Sequence, residues 1–218
     1  MAVMNSIKRS RSTALLIFLT TVLVGCGNPQ DEKEVREIYR TFKEFKETAV
    51  DRRGGWAADL VSNETLDYYN WIREKALTAD REELEDMSMM RQVVVLSMRT
   101  RVPAKQLQEM NGKELYKHYV SKGWLEQGLA RDMGISKVKI SGDTATALMK
   151  KGSTLTNIKA YFVKQDGTWR FDLIPSLDQV EKDFLKMCKR DGITVSKAVK
   201  NTTGKIMDRS AWDPPVID

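Results

Sequence analysis

An α+β fold, with N-terminal helices packed on a curved antiparallel meander of about four strands and a C-terminal helical extension, follows from three features of this sequence. Apolar residues recur at three- and four-residue steps from Asp31 to about Lys122. At Gly134 the period changes from 3.6 to 2, and after Pro175 the helical period returns.

The first helix is read from Val35, Ile38, Tyr39, Phe42, Phe45 and Ala49, with Lys and Glu between them, and Gly54-Gly55 is expected to end it. Trp56 to Val61 is a short apolar segment. Ser62 or Asn63 then suits the N-cap of a helix over Glu64–Leu77, where Leu66, Tyr69, Ile72 and Leu77 make one stripe. A third helix is expected from about Glu82 to Arg99, on Leu84, Met87, Met90, Val94, Val95 and Met98, stopped by Pro103. Two shorter ones follow, Ala104–Met110 and Gly112–Lys122, with Gly123 closing the second.

The expected strands are Ile135–Ser141, Thr144–Lys151, Thr154–Gln165 and Thr168–Ile174, with hairpin turns at Gly142-Asp143, Gly152-Ser153 and Asp166-Gly167. These turns would pair Ile140 with Ala145, Val138 with Ala147, Ala147 with Ile158, Phe162 with Phe171 and Ala160 with Leu173. All three then put Val138, Ile140, Ala145, Ala147, Met149, Ile158, Ala160, Phe162, Trp169, Phe171 and Leu173 on one face. Lys137, Lys139, Thr146, Lys159, Tyr161, Arg170 and Asp172 fall on the other, and a one-residue slip would destroy that agreement. A helix over Ser176–Arg190, a weaker one from Thr194 to about Lys200 and an extended tail complete the chain.

The N-terminus has a different character. Lys8, Arg9 and Arg11 precede an apolar run from Ala14 through Val24, too short for a comfortable membrane span and closed by Gly25 before Cys26. Leu23-Val24-Gly25-Cys26 resembles the lipobox of bacterial lipoproteins. The resemblance implies that residues 1–25 are a cleaved signal peptide and that Cys26 is acylated, the acyl chains holding the protein on the membrane of the cell envelope. Gly27, not aspartate, follows the cysteine, which in Gram-negative members of that family implies the outer membrane, facing the periplasm. Residues 26–30 then form a short polar tether.

Removing residues 1–25 discards three of 36 basic groups and no acidic ones, so the net charge falls from +6 to +3. So small an excess over such a length provides no concentrated field, and no nucleic-acid partner is inferred. With Cys26 committed to lipid, Cys188 is left without a disulfide partner, and packing must hold the fold. It sits in the amphipathic stretch Val180–Arg190, where a buried helix residue is the expected role.

The segment Ser136–Leu173, with Val138-Lys139-Ile140-Ser141-Gly142-Asp143-Thr144-Ala145 and Tyr161-Phe162-Val163-Lys164-Gln165-Asp166-Gly167-Thr168-Trp169-Arg170-Phe171-Asp172-Leu173, resembles the terminal strands of the nuclear transport factor 2-like superfamily. That resemblance covers about residues 31–174 and implies a sheet wrapped around helices. Residues 80–125 are more helical than the family pattern, and 175–218 form an addition.

No glycine-rich phosphate loop, zinc spacing, nucleophile elbow or calcium loop is present, so no cofactor and no metal are expected. His118 is the single histidine, and nothing in the sequence supplies it with a catalytic partner. Met87, Met89 and Met90 read as thioethers filling a helix core. Some members of the superfamily are enzymes with a carboxylate in an apolar cavity, but none of the eleven inward positions above is ionisable. Three functions stay open. The domain binds a small apolar ligand in a pocket lined by Val138, Ile140, Ala145, Ala147, Ile158, Ala160, Phe162, Trp169 and Phe171. Alternatively, it is a tethered interaction module for another envelope protein. The third reading is a hydrolase or isomerase using a helix-borne carboxylate such as Glu64, Asp67 or Glu114.

Overall fold

The computed structural model describes residues 29–125, 131–194 and 209–216. The expected leader, Cys26 and most of the tether lie outside the described residues, as does the weak helix after Thr194. The described residues form eight helices and one four-stranded antiparallel sheet, the α+β plan expected. None of these helices is long and apolar enough to cross a membrane.

Helix α1 (Pro29–Val50) buries Ile38, Phe42, Phe45 and Ala49 and packs against both outer strands of the sheet, β1 (Met133–Ser141) and β4 (Thr168–Asp172). It ends at a turn in which Arg52 adopts φ +57°, not at Gly54-Gly55. That glycine pair instead opens α2 (Gly54–Ala58). A Cβ at Gly54 would lie 2.1 Å from the Lys117 carbonyl oxygen, so the glycine serves a close helix contact.

Helix α3 (Asn63–Thr78) is capped by Ser62, whose hydroxyl accepts from the Thr65 N–H at 3.1 Å. The helix expected over 82–99 is two helices, α4 (Arg81–Asp86) and α5 (Met89–Arg101), with Met87 and Ser88 extended between them. The break has a distant cause. Glu181 accepts from the Ser88 hydroxyl at 2.8 Å and from the Met90 N–H at 3.2 Å, capping α5 from another part of the chain. Helices α6 (Ala104–Glu109) and α7 (Gly112–Ser121) follow as expected, the latter opened by a capping box in which Asn111 and Glu114 bond each other's backbone N–H.

Strands β1, β2 (Thr144–Lys151), β3 (Thr154–Gln165) and β4 lie in sequence order. Asp166 and Gly167 both have positive φ, +50° and +72°, as a two-residue hairpin turn of that composition requires. Next to the turns the register is the expected one: Ile140 pairs with Ala145 and Phe162 with Phe171. Away from them two irregularities intervene. In β1 a bulge between Ser136 and Lys139, with Lys137 at φ +54°, reverses the alternation and turns Ile135 inward opposite Met149. In β3 a second one lies opposite Met149, where the Thr156 hydroxyl donates to the Met149 carbonyl and accepts from the Ile158 N–H. Ala147 therefore pairs with Ala160, not Ile158. Leu173 leaves the ladder too, because β4 stops at Asp172 and α8 (Ile174–Arg190) starts at once.

Helix α8 occupies the edge of β3 that β4 is too short to cover. Gln179 accepts from the Lys159 N–H and donates to the Asn157 carbonyl, and the Ser176 hydroxyl donates to the Lys159 carbonyl. Polar side chains of a helix thus satisfy backbone groups that would otherwise template a further strand. The outer edge of β4 is covered by Leu60–Ser62: the Phe171 N–H donates to Leu60 and the Ser62 N–H to Phe171.

Candidate functional site

The space between sheet and helices bears on all three readings, and aromatic rings occupy it. Phe42 lies edge-on to Phe171 at 5.5 Å and to Phe162 at 6.4 Å, and Phe45 sits 4.7 Å from Phe171. Of the nine residues expected to line a pocket, Ala145, Ala147, Ala160, Phe162, Trp169 and Phe171 are buried in the same core cluster as these rings. Val138, Ile140 and Ile158 are half-buried and pack against its margin. The structure gathers all nine on one face, but as core and not as the wall of an open site. The small alanines leave room for the rings and for α1 across the sheet. Ala147→Phe is accordingly expected to destabilise by about 1–3 kcal/mol, measured by denaturant unfolding; unchanged stability would show free volume at that position.

The carboxylates proposed from the helices lie outside this interior. Glu64 is exposed and accepts from Gln165, Asp67 is exposed, and Glu114 belongs to the α7 cap. Sequence reasoning missed Asp172, which its parity placed on the outer face. There the start of α3 covers it: Oδ1 accepts from the Ser62 and Thr65 hydroxyls, at 3.3 and 3.4 Å, and from the Ile174 N–H at 3.2 Å. Burial holds the carboxyl above its ordinary value of 3.8, and the Glu64 charge adds to that, against the opposing pull of the three donors. The alternation of β4 carries no signal for this, since it says nothing of what covers the outer face.

A raised carboxyl pKa stabilises the fold fully below about pH 4, and the contribution is lost as pH rises through the folded-state value. Asp172→Asn keeps the accepting oxygen and removes the charge. Its melting temperature relative to wild type is expected to rise between pH 3.5 and pH 7, these being approximate limits set by the ordinary carboxyl value; a pH-independent difference would contradict the assignment.

Between α3, α5 and α8 lies a cleft of about 10 Å³, lined by Tyr68, Met90, Arg91, Ile174, Leu177, Asp178 and Glu181, with room for about one water. Burial pushes the Tyr68 phenol up to about 12, so it stays protonated and is no base at neutral pH. Tyr68 stacks on Trp71 at 5.8 Å, and the Arg91 guanidinium lies 5.4 Å from the Trp71 ring centre. His118 is half-buried, edge-on to Trp124 at 5.5 Å, and burial together with the Lys122 charge lowers its pKa. Among the described residues no group of three His, Cys, Asp or Glu is placed to hold a metal ion. Cys188 is a buried free thiol on α8.

No protein-family model, curated protein or solved structure matches this chain.

Proposed function

We propose that this protein is a lipid-anchored envelope protein whose domain, of the nuclear transport factor 2-like kind, is a non-catalytic interaction module. The observation that carries the reading is the filled interior: with rings packed between α1 and the sheet, recognition is left to the surface. The neutral inner face supports it, since the carboxylates named above have their partners or their exposure elsewhere. The anchor rests on the basic leader and on Leu23-Val24-Gly25-Cys26. Each buried methylene of an acyl chain contributes about 0.8 kcal/mol, so two or three chains hold a domain of this size firmly. Gly27 after Cys26 favours the periplasmic side of an outer membrane where the envelope has two.

The anchor is tested by feeding cells an alkyne analogue of palmitate. Wild type is expected to incorporate the label and fractionate with membranes, and Cys26→Ala to do neither; equal labelling of the two would refute the anchor. The module is tested by placing a photo-crosslinking residue on the surface. Discrete, position-dependent adducts are expected, and their absence from every exposed position would refute a docking role.

A further inference from the structure

Around the C-terminal end of α7 the fold gathers cations and indoles from three separate stretches of chain. Trp56 on α2 is 65% exposed, an unusual state for the largest side chain, and the Arg53 guanidinium lies 4.9 Å from its ring centre. Arg52 reaches Gly123, where an added Cβ would come within 2.7 Å of its Nε. The next residue, Trp124, carries the Arg101 guanidinium 5.2 Å from its ring. Lys117 and Lys122 belong to the same end of α7, onto which Gly54 presses α2. The nearby carboxylates are already engaged: Glu47 faces Lys43, Asp51 faces Arg53, and Asp59 faces Lys113. Cations at a helix C-terminus complement its dipole, which accounts for Lys122. That does not account for an indole left in water beneath a guanidinium.

We infer that this face, centred on Trp56, Arg53, Arg52 and Lys122, docks an anionic glycan, a chain of pyranose rings whose attached short peptides bear carboxylates, as in the envelope's peptidoglycan. The inference names the partner of the interaction module proposed above and rests on that reading. An exposed indole offers a flat apolar surface to the C–H face of a pyranose ring on the side away from Arg53, and the exposed Arg52 guanidinium can bind a carboxylate in two parallel hydrogen bonds. Arg53 is paired with Asp51 at 3.0 Å, an exposed ion pair of small net worth that a ligand carboxylate can exchange with. Trp and Arg together are the side chains that carry most recognition energy at such surfaces.

Two further observations favour a glycan over a lipid surface. Insertion into a bilayer needs a contiguous apolar stripe, whereas the exposed residues beside Trp56 along the chain are Arg53, Gly55 and Asp59. The face also stands at the far end of α1 from the anchor. Cys26 is only three residues from Pro29, at most about 11 Å of chain, and 22 residues of helix then span about 33 Å. An α1 standing on its anchor carries this face away from the lipid and toward the wall.

The test is co-sedimentation of the full chain, purified in a neutral detergent, with insoluble peptidoglycan. Wild type is expected to sediment, with affinity falling at least roughly fivefold as salt rises from about 0.05 to about 0.5 M. Trp56→Ala and Arg53→Gln are each expected to weaken binding at least roughly threefold, both being exposed side chains whose loss leaves the core intact. A Lys150→Gln, Lys151→Gln double variant, altered at the β2–β3 hairpin, is expected to bind like wild type. No sedimentation, equal loss in the hairpin variant, full retention by Trp56→Ala, tighter binding to an acidic protein, or binding to anionic phospholipid vesicles that exceeds binding to neutral ones and falls in Trp56→Ala would each overturn the inference. Palmitate labelling separates the two proposals: a labelled chain that ignores the glycan sinks this inference alone, and an unlabelled chain that binds it sinks the anchor alone.

Discussion

Gly112→Ala is expected to destabilise the protein by about 3 kcal/mol or more, lowering the melting temperature by roughly 6–12 °C. Gly112 is the first residue of α7 and lies against α3. An added Cβ would sit 2.2 Å from the Leu66 carbonyl oxygen and 2.6 Å from the Asn70 nitrogen. Both obstacles are backbone, so neither can rotate aside, and the two helices would have to separate. Gly55→Ala is the matched control. It lies in the short helix α2 with nothing within 4 Å of an added Cβ, and alanine there is expected to stabilise by about 0.5–1 kcal/mol. Thermal melts of the two variants check the contrast, and equal shifts would refute the close approach.

Arg99→Met is expected to cost about 3 kcal/mol and to release the C-terminal segment. The guanidinium donates to the carbonyls of Lys75, Ala76 and Ala79 at the end of α3, of which Lys75 also accepts from the Ala79 N–H. It donates as well to the carbonyls of Ala211 and Trp212, which form part of a 3-10 turn at Arg209–Trp212. Methionine keeps the length and apolar stem but supplies no donor, leaving part-buried carbonyls unsatisfied. Limited proteolysis is the discriminating measurement: cleavage between α8 and Arg209 should accelerate in the variant under conditions where the remainder stays folded. An unchanged cleavage rate would show that the tail is held by Ala211 and Trp212 packing alone.

Both effects depend on atoms distant in sequence, and neither residue stands out in a linear reading. Gly112 looks like a poor helix former at an otherwise good helix start. Arg99 looks like an ordinary basic residue in the last turn of a helix. The packing of α3 against α7, and of the tail against α5, gives each its role.

The candidate site divides in the same way. Ala145, Ala147, Ala160, Phe162, Trp169 and Phe171 were legible as one apolar face because strand alternation is a local property. Whether that face bounded a pocket or a core was not legible, since the answer lay with Phe42 and Phe45, more than a hundred residues earlier in the chain. The burial of Asp172 was not legible for a related reason. Alternation assigned it correctly to the outer side of β4, but only the folded chain brings the start of α3 over that side.

The sequence by itself determined whatever depends on neighbours a few residues apart. Periodicity marked the helices and strands, Ser62 and the Asn111–Glu114 pair marked helix starts, and Gly142, Gly152 and Asp166-Gly167 set the turns and the register beside them. The proposed leader and the proposed anchor at Cys26 rest on the sequence alone. Tertiary structure decided the rest. Glu181 splits α4 from α5 across 91 residues, Gln179 and Ser176 turn α8 into the cover of a strand edge, and Lys137 reverses a strand's facing without any glycine to announce it. Local backbone preferences differ by about a kcal/mol or less per residue, whereas a capped helix end or a satisfied buried backbone group is worth as much or more. Where the two compete, the contact between distant parts of the chain prevails.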